Sequence, residues 1–371
     1  NKWALPCADN CLLGICCQDG EYRLGSRETI WDVAVRLSKE AEKNGVLKNV
    51  ETTLLLVGNK QSGKTTLLHR FLDKTDAPKP SLALEYMFGR RSRGTGVLKD
   101  ICHIWELAGG AFTTDLLEIP ITVETLRSLS VVIVLDLSAP EVLCILLETL
   151  LKALQSRIDR VLDAALKSDA SVNEAVHEAI STRLPEEHPD KKVVTPFPVP
   201  LLIVGSKYDI FQNYEPEKRK VTCRYLRHVA HANGASLLFA SSKSESLISK
   251  LKTSLAYLAF GSGAGPVRAS HTDYNKPLHI TFGEDSFEKI DGSTPASVTQ
   301  VSNVYAVVKK AFTEIFPQVE QKMTIPEDPG HDPKFKEKDI DLMKAQKEAE
   351  LAELRKRRQQ EEIGRELPDF D

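Results

Sequence analysis

The sequence has almost no excess of either charge. Its 371 residues carry 49 Lys plus Arg against 52 Asp plus Glu, a net charge of −3. That balance argues against a chain that works by clinging to nucleic acid or to an anionic membrane. Long apolar runs are also missing. None approaches the ~18 residues that a membrane-spanning helix needs, and Val131 to Leu135 reads instead as a buried strand. Leu12 to Cys17 is apolar, but no basic stretch precedes it, so no secretory signal is expected. Seven cysteines are too few for a disulfide scaffold. Four of them, Cys7, Cys11, Cys16 and Cys17, cluster without the paired CxxC spacing of a zinc site. Reduced thiols in a cytoplasmic protein are the expectation.

What is present is ordinary for a globular protein: 42% hydrophobic and 27% charged residues. A disordered chain, a collagen and a coiled-coil rod are thereby excluded. At roughly 150 residues per domain, the length allows two to three domains, or one large α/β domain with extensions.

Residues 1–25 show no period and read as an irregular tail. Ser26 is placed to cap a helix whose apolar stripe is Ile30, Ala34, Leu37 and Ala41, stopped by Asn44-Gly45. From Glu51 to Phe260 short β-branched runs alternate with helical patterns. The strand candidates are Thr52–Val57, Leu82–Phe88, Ile101–Trp105, Val131–Leu135, Leu201–Val204 and Ser236–Phe239. That alternation predicts an α/β fold, a mainly parallel sheet with helices on both faces. One long helix is expected between Pro140 and Leu166. The polar, proline-rich stretch 167–199 reads as an insertion within a domain spanning 26–260. After it come an extension and linker over 261–335, with a strand-like His279–Phe282 and a helix over Val298–Phe316. A highly charged helix or tail fills 336–371, its Lys336–Arg365 stretch too poor in apolar residues for a coiled-coil seam. Either a partner orders that helix or it is a solvated tail.

Gly58-Asn59-Lys60-Gln61-Ser62-Gly63-Lys64-Thr65 matches GxxxxGK[ST] between a strand and a helix, the context in which the motif cradles phosphate. Backbone N–H groups around Gly58, Ser62 and Gly63 would face phosphate oxygens at a positive helix N-terminus, where Thr66 also lies. Lys64 would reach the β- and γ-phosphates, and Thr65 would ligate Mg²⁺. Downstream, Ser206-Lys207-Tyr208-Asp209 resembles the guanine-reading NKxD loop with Ser in place of Asn. Asp209 could accept from guanine N1–H and N2–H, with Lys207 along the base. The Asn-to-Ser change is expected to remove a brace between loops. Ala240-Ser241-Ser242-Lys243 resembles the SAK loop, which assigns Ser242 and Lys243 to the base. Ile104 to Gly110, IWELAGG, is similar to the IWDTAGQ segment of Rab-type small GTPases. Glu106 replaces the Asp that organises Mg²⁺, and Gly110 replaces the Gln that orients the attacking water. Ser81 stands where the first switch carries Thr. The expected cofactor is GDP or GTP with Mg²⁺ held by Thr65, Ser81 and Glu106, with hydrolysis slow or absent.

Arg27-Glu28-Thr29-Ile30-Trp31, the phosphate loop, Pro80 to Tyr86, Trp105 to Gly110 and Asp136-Leu137-Ser138 together resemble the dynein light intermediate chain family. The intact phosphate loop and short charged tail are most similar to its dynein 2 branch. The resemblance covers roughly residues 27–365. It implies a Ras-like P-loop domain in a non-motor subunit that docks on the cytoplasmic dynein 2 heavy chain and helps stabilise it. The other implied partners are dynein 2 subunits and intraflagellar transport trains; no nucleic acid is implied. The implied location is the cytoplasm, cytoskeleton, basal body and cilium. Three readings follow: a structural motor subunit, a true guanine-nucleotide switch, and, ranked last, a P-loop phosphotransferase.

Overall fold

The computed structural model describes residues 51–93, 98–168, 174, 176, 178–180, 183–261, 270–292, 295, 297–320 and 337–366. The helix expected after Ser26, the 1–25 tail and its cysteines lie outside the described residues.

The strands are β1 (Glu51–Gly58), β2 (Leu84–Arg93), β3 (Leu98–Leu107), β4 (Leu129–Asp136), β5 (Leu201–Ser206), β6 (Ser236–Phe239) and β7 (His279–Ile280). They form one sheet in the order β2-β3-β1-β4-β5-β6-β7. The inner strands run parallel, and β2 and β7 close the two edges antiparallel. Parallel strands buried on both faces read as unbroken apolar runs. Leu54 to Val57 and Val131 to Leu135 are such runs, each residue at most 1% exposed. This is the expected mainly parallel α/β sheet, with one antiparallel strand at each edge.

The helices are α1 (Lys64–Phe71), α2 (Val123–Leu126), α3 (Pro140–Ser168), α4 (Tyr208–Phe211), α5 (Pro216–Ala232), α6 (Glu245–Phe260), α7 (Phe287–Asp291), α8 (Val298–Ile315) and α9 (Lys338–Glu366). On one sheet face α1 and α6 cover Leu54, Leu56, Cys102 and Ile104. On the other, α3, α5 and α8 close over Leu55, Val57, Val131 and Ile133. In α3 the buried stripe Leu143, Leu147, Leu150, Leu154, Ile158, Val161 and Ala165 keeps helical spacing along its length.

Two stretches are more integrated than their composition suggests. In the proline-rich stretch, Leu184, Val193, Val194, Phe197 and Val199 are buried. Val193 and Val194 form a small satellite core with Phe287 and Val301. The extension after Phe260 supplies β7 and then α8. There Phe312 stacks on Tyr225 of α5 with ring centroids 4.7 Å apart, and Lys309 pairs with Glu148 of α3 at 2.6 Å. Beyond α8, in the stretch expected to be linker, Gln318 and Val319 hydrogen-bond to the first turn of α3. Every described side chain of α9 is exposed. Among the described residues no helix is long and apolar enough to cross a membrane.

Candidate nucleotide site

The site assembles at the C-terminal ends of the parallel strands, where open α/β sheets bind ligands. β1 ends at Gly58, whose φ is +154°. A Cβ there would lie 2.2 Å from the Val134 carbonyl oxygen of β4, so no side chain is tolerated. Gly63 holds φ +89° at the N-cap of α1, and a Cβ there would meet nothing within 4 Å, leaving open space beside the loop. Lys64 starts α1 with only 4% of its surface exposed. Its ammonium donates to the Gly58 carbonyl at 3.0 Å and the Asn59 carbonyl at 2.7 Å. Burial pulls the Lys64 pKa down to about 8, opposed by attraction to Glu106.

The three candidate magnesium ligands come from three segments and meet at one point. The Thr65 hydroxyl donates to Glu106 Oε1 at 2.7 Å, and the Ser81 hydroxyl donates to the same oxygen at 3.0 Å. The two hydroxyls lie 3.2 Å apart. Glu106 is 1% exposed, and burial raises its pKa against the pull of Thr65, Lys64 and Ser81. Its Oε2 is buried without a hydrogen-bond partner among the described residues. A lone buried carboxylate oxygen beside two hydroxyls is a donor set suited to a hard cation. The residues present therefore fit Mg²⁺. Ser62 Oγ, also buried and without a partner among the described residues, adds a second such group in the loop between β1 and α1.

At the base-reading end, Asp209 accepts from the Ser241 hydroxyl at 2.7 Å and pairs with Lys243 at 2.7 Å. Lys243 foremost, with help from Ser241, holds its pKa below the usual carboxylate range against the cost of desolvation. Lys207 adopts φ +55° and turns its ammonium to Asp136 at the end of β4. Ser242 is exposed at the loop turn, while Ser241 makes the contact to Asp209. Ser241 is the first residue of the SAK-like triplet, so its signal lay in the motif itself. Asp136 lies in a segment that carried the family resemblance, but nothing there pointed to its pairing with Lys207, which depends on the β4–β5 register.

One expectation is overturned. Ser206 does not leave the loops unbraced: its hydroxyl is 2.7 Å from the Ser62 carbonyl and 3.0 Å from that of Leu135, tying β5 to the phosphate loop. A hydroxyl suffices because Ser206 is fully strand-bound and buried beside both acceptors.

Gly109 and Gly110 have φ of +85° and +60° and open a 3₁₀ segment, Gly110–Glu118, that packs against α3. A Cβ on Gly110 would approach Asn59 Cα and Leu146 Cδ1 at 3.3 Å. This segment thus packs closely on the phosphate loop, where a Gln side chain would start from a strained and crowded Cβ.

The family model for dynein light intermediate chains matches residues 36–173. Cytoplasmic dynein 2 light intermediate chain 1 of Homo sapiens is 42% identical over 342 residues, which is 89% of this chain and 95% of that protein. This chain belongs to the dynein light intermediate chain family. The Danio rerio protein of the same description is 41% identical over 345 residues, with the same coverage. A crystal structure of the dynein light intermediate chain's conserved domain superposes with a TM-score of 0.52 at 17% identity, over 76% of this chain and 95% of that one. That match establishes a shared fold. Membership of the family supports a dynein-subunit role, and the nucleotide-site geometry above belongs to that family member.

Proposed function

We propose that this chain is a non-catalytic subunit of the cytoplasmic dynein 2 motor, docking on the heavy-chain tail and stabilising it for retrograde intraflagellar transport and cilium assembly. The observation that carries this reading is the length of the match: at 42% identity it spans 95% of the human dynein 2 light intermediate chain and 89% of this one, well beyond the candidate nucleotide loops. The site geometry supports a subunit that holds nucleotide without turning it over. Lys64, Thr65, Ser81 and Glu106 are gathered as a phosphate and Mg²⁺ site requires. When bound, the metal would neutralise phosphate charge. Asp209, held by Ser241 and Lys243, keeps a carboxylate aimed at the base end. Gly110 offers nothing to position water.

A second reading, an active guanine-nucleotide switch regulating ciliary transport, is favoured by one observation: Thr65, Ser81 and Glu106 converge despite two substitutions. Lys64→Ala separates the two in cells lacking the protein. If the variant folds, co-purifies with the dynein 2 heavy chain and restores cilia, the structural reading stands. If it folds and docks yet fails to restore transport, nucleotide is regulatory and the switch replaces it. Failure of the wild-type chain to co-purify with that heavy chain refutes both.

A further inference from the structure

A cavity of about 400 Å³ opens at the end of the sheet opposite the phosphate loop. Its walls are the beginnings of β5 and β6, β7 with the two residues after it, and the C-terminal half of α6. The volume falls within the roughly 300–1,000 Å³ of ordinary ligand pockets. Leu202, Leu238, Leu258, Ile280, Phe282 and the ring of Tyr257 supply an apolar lining. Three of the hydroxyls around it are already engaged. Ser236 accepts from the Phe282 N–H at 3.1 Å, and Thr253 and Ser254 donate to carbonyls one turn back in α6.

The charge in this wall is of one sign. Among the described residues no Asp or Glu lines the cavity, and Arg183 does. Its guanidinium is clamped by the Phe197 carbonyl at 2.7 Å and the Pro198 carbonyl at 2.9 Å. Those two bonds use two of its five N–H donors. No carboxylate pairs with it among the described residues, and burial alone lowers its pKa to about 10. The neighbouring His279 is 5% exposed, and burial first, then the positive charges of Lys250 and His271, lower its pKa. A half-buried, backbone-clamped guanidinium with no counter-ion is held ready for an anion.

We propose that this cavity binds an amphipathic monocarboxylate, with an acyl or aryl body packed on the leucine wall and the carboxylate received by Arg183. The apolar body supplies affinity through burial, and the charged head selects anions over neutral or cationic analogues. The site is separate from the nucleotide loops and stands or falls independently of them.

The test uses the full-length protein and dodecanoate, with dodecanol and dodecyltrimethylammonium as matched neutral and cationic probes, followed by calorimetry. Dodecanoate should bind saturably with one-to-one stoichiometry, at least tenfold more tightly than either analogue. Arg183→Gln should erase that preference. Ser254→Phe, which fills the cavity from α6 while leaving Arg183 in place, should weaken dodecanoate at least tenfold with a melting temperature close to that of the parent. Should Arg183→Gln fail to fold, Ser254→Phe alone decides. Absence of saturable dodecanoate binding at millimolar concentration overturns the proposal. So does equal affinity for dodecanol, or dodecanoate affinity unchanged in a folded Ser254→Phe.

Discussion

Placing the missing glutamine back, as Gly110→Gln, should not rebuild a hydrolytic site. The backbone at 110 sits at φ +60°, a region that costs an L-residue about 1 kcal/mol or more. The new Cβ must also fit 3.2 Å from Asn59 Oδ1 and 3.3 Å from Asn59 Cα and Leu146 Cδ1. Two of these neighbours can yield by side-chain rotation; Asn59 Cα belongs to the phosphate loop and can shift only with it. Tight packing of this kind costs about 1–2 kcal/mol. The sum, about 2–3 kcal/mol, corresponds to a melting temperature lowered by roughly 5–10 °C for a folded unit of this size. Because the strain enters at Cβ, Gly110→Ala should carry most of it. The assay is thermal or urea unfolding of wild type, Gly110→Ala and Gly110→Gln without nucleotide, beside single-turnover GTP hydrolysis. Gly110→Gln should hydrolyse no faster than wild type. A Gly110→Ala protein as stable as wild type would falsify the steric argument, and a Gly110→Gln variant that is both stable and faster would restore the switch reading.

Three further outcomes follow from the same geometry. Lys64 has a folded pKa near 8 against an ordinary 10.5, so the unfolded chain binds the extra proton and nucleotide-free stability should rise between pH 8 and 10.5. The rise is at most about 3 kcal/mol, and Lys64→Met should lack it; parallel pH profiles for the two proteins would refute the assignment. Asp209→Ala should weaken GDP at least tenfold and abolish preference for GDP over ADP, measured by calorimetry; an unchanged ratio would move base recognition elsewhere. Phe312→Ala, deep under α5, should cost about 3–5 kcal/mol in urea unfolding, whereas a loss below about 1 kcal/mol would mean that α8 is an appendage.

The central strands were legible because burial on both faces leaves an unbroken signature, as in Val131 to Leu135. The tight turn between β1 and α1 was legible because Gly58 and Gly63 answer a backbone need that side-chain-bearing residues rarely meet. Thr65, Ser81 and Glu106 were each chosen from a separate motif, and their meeting point rests on the β1–β3 register together with the approach to β2. The brace made by Ser206 was misread, since the loss of an amide says nothing about two carbonyls already within reach of a hydroxyl. Arg183 and the leucine-lined cavity left no local pattern, because their neighbours come from segments up to a hundred residues apart. The proline-rich stretch looked solvated by composition, yet Val193 and Val194 pack with Phe287 of α7 and Val301 of α8, and Phe197 joins the main core, contacts with no short-range period.

The late arrival of α8 sets an order of events during synthesis. By the time Ala232 is made, all of α3 and α5 exist, but the ring of Phe312 that stacks on Tyr225 is still roughly 80 residues away. At bacterial-to-eukaryotic elongation rates that interval is on the order of 4–16 s. Throughout it the ribosome carries a chain with a complete phosphate loop and an uncovered apolar stripe between α3 and α5. A message truncated after Phe260 would freeze that state: every loop of the candidate nucleotide site would be present, on a body whose flank has no lid. Such a product should be captured by holdase chaperones and cleared, so stop codons falling between Phe260 and Val298 should behave as null alleles even though they spare the whole candidate nucleotide site.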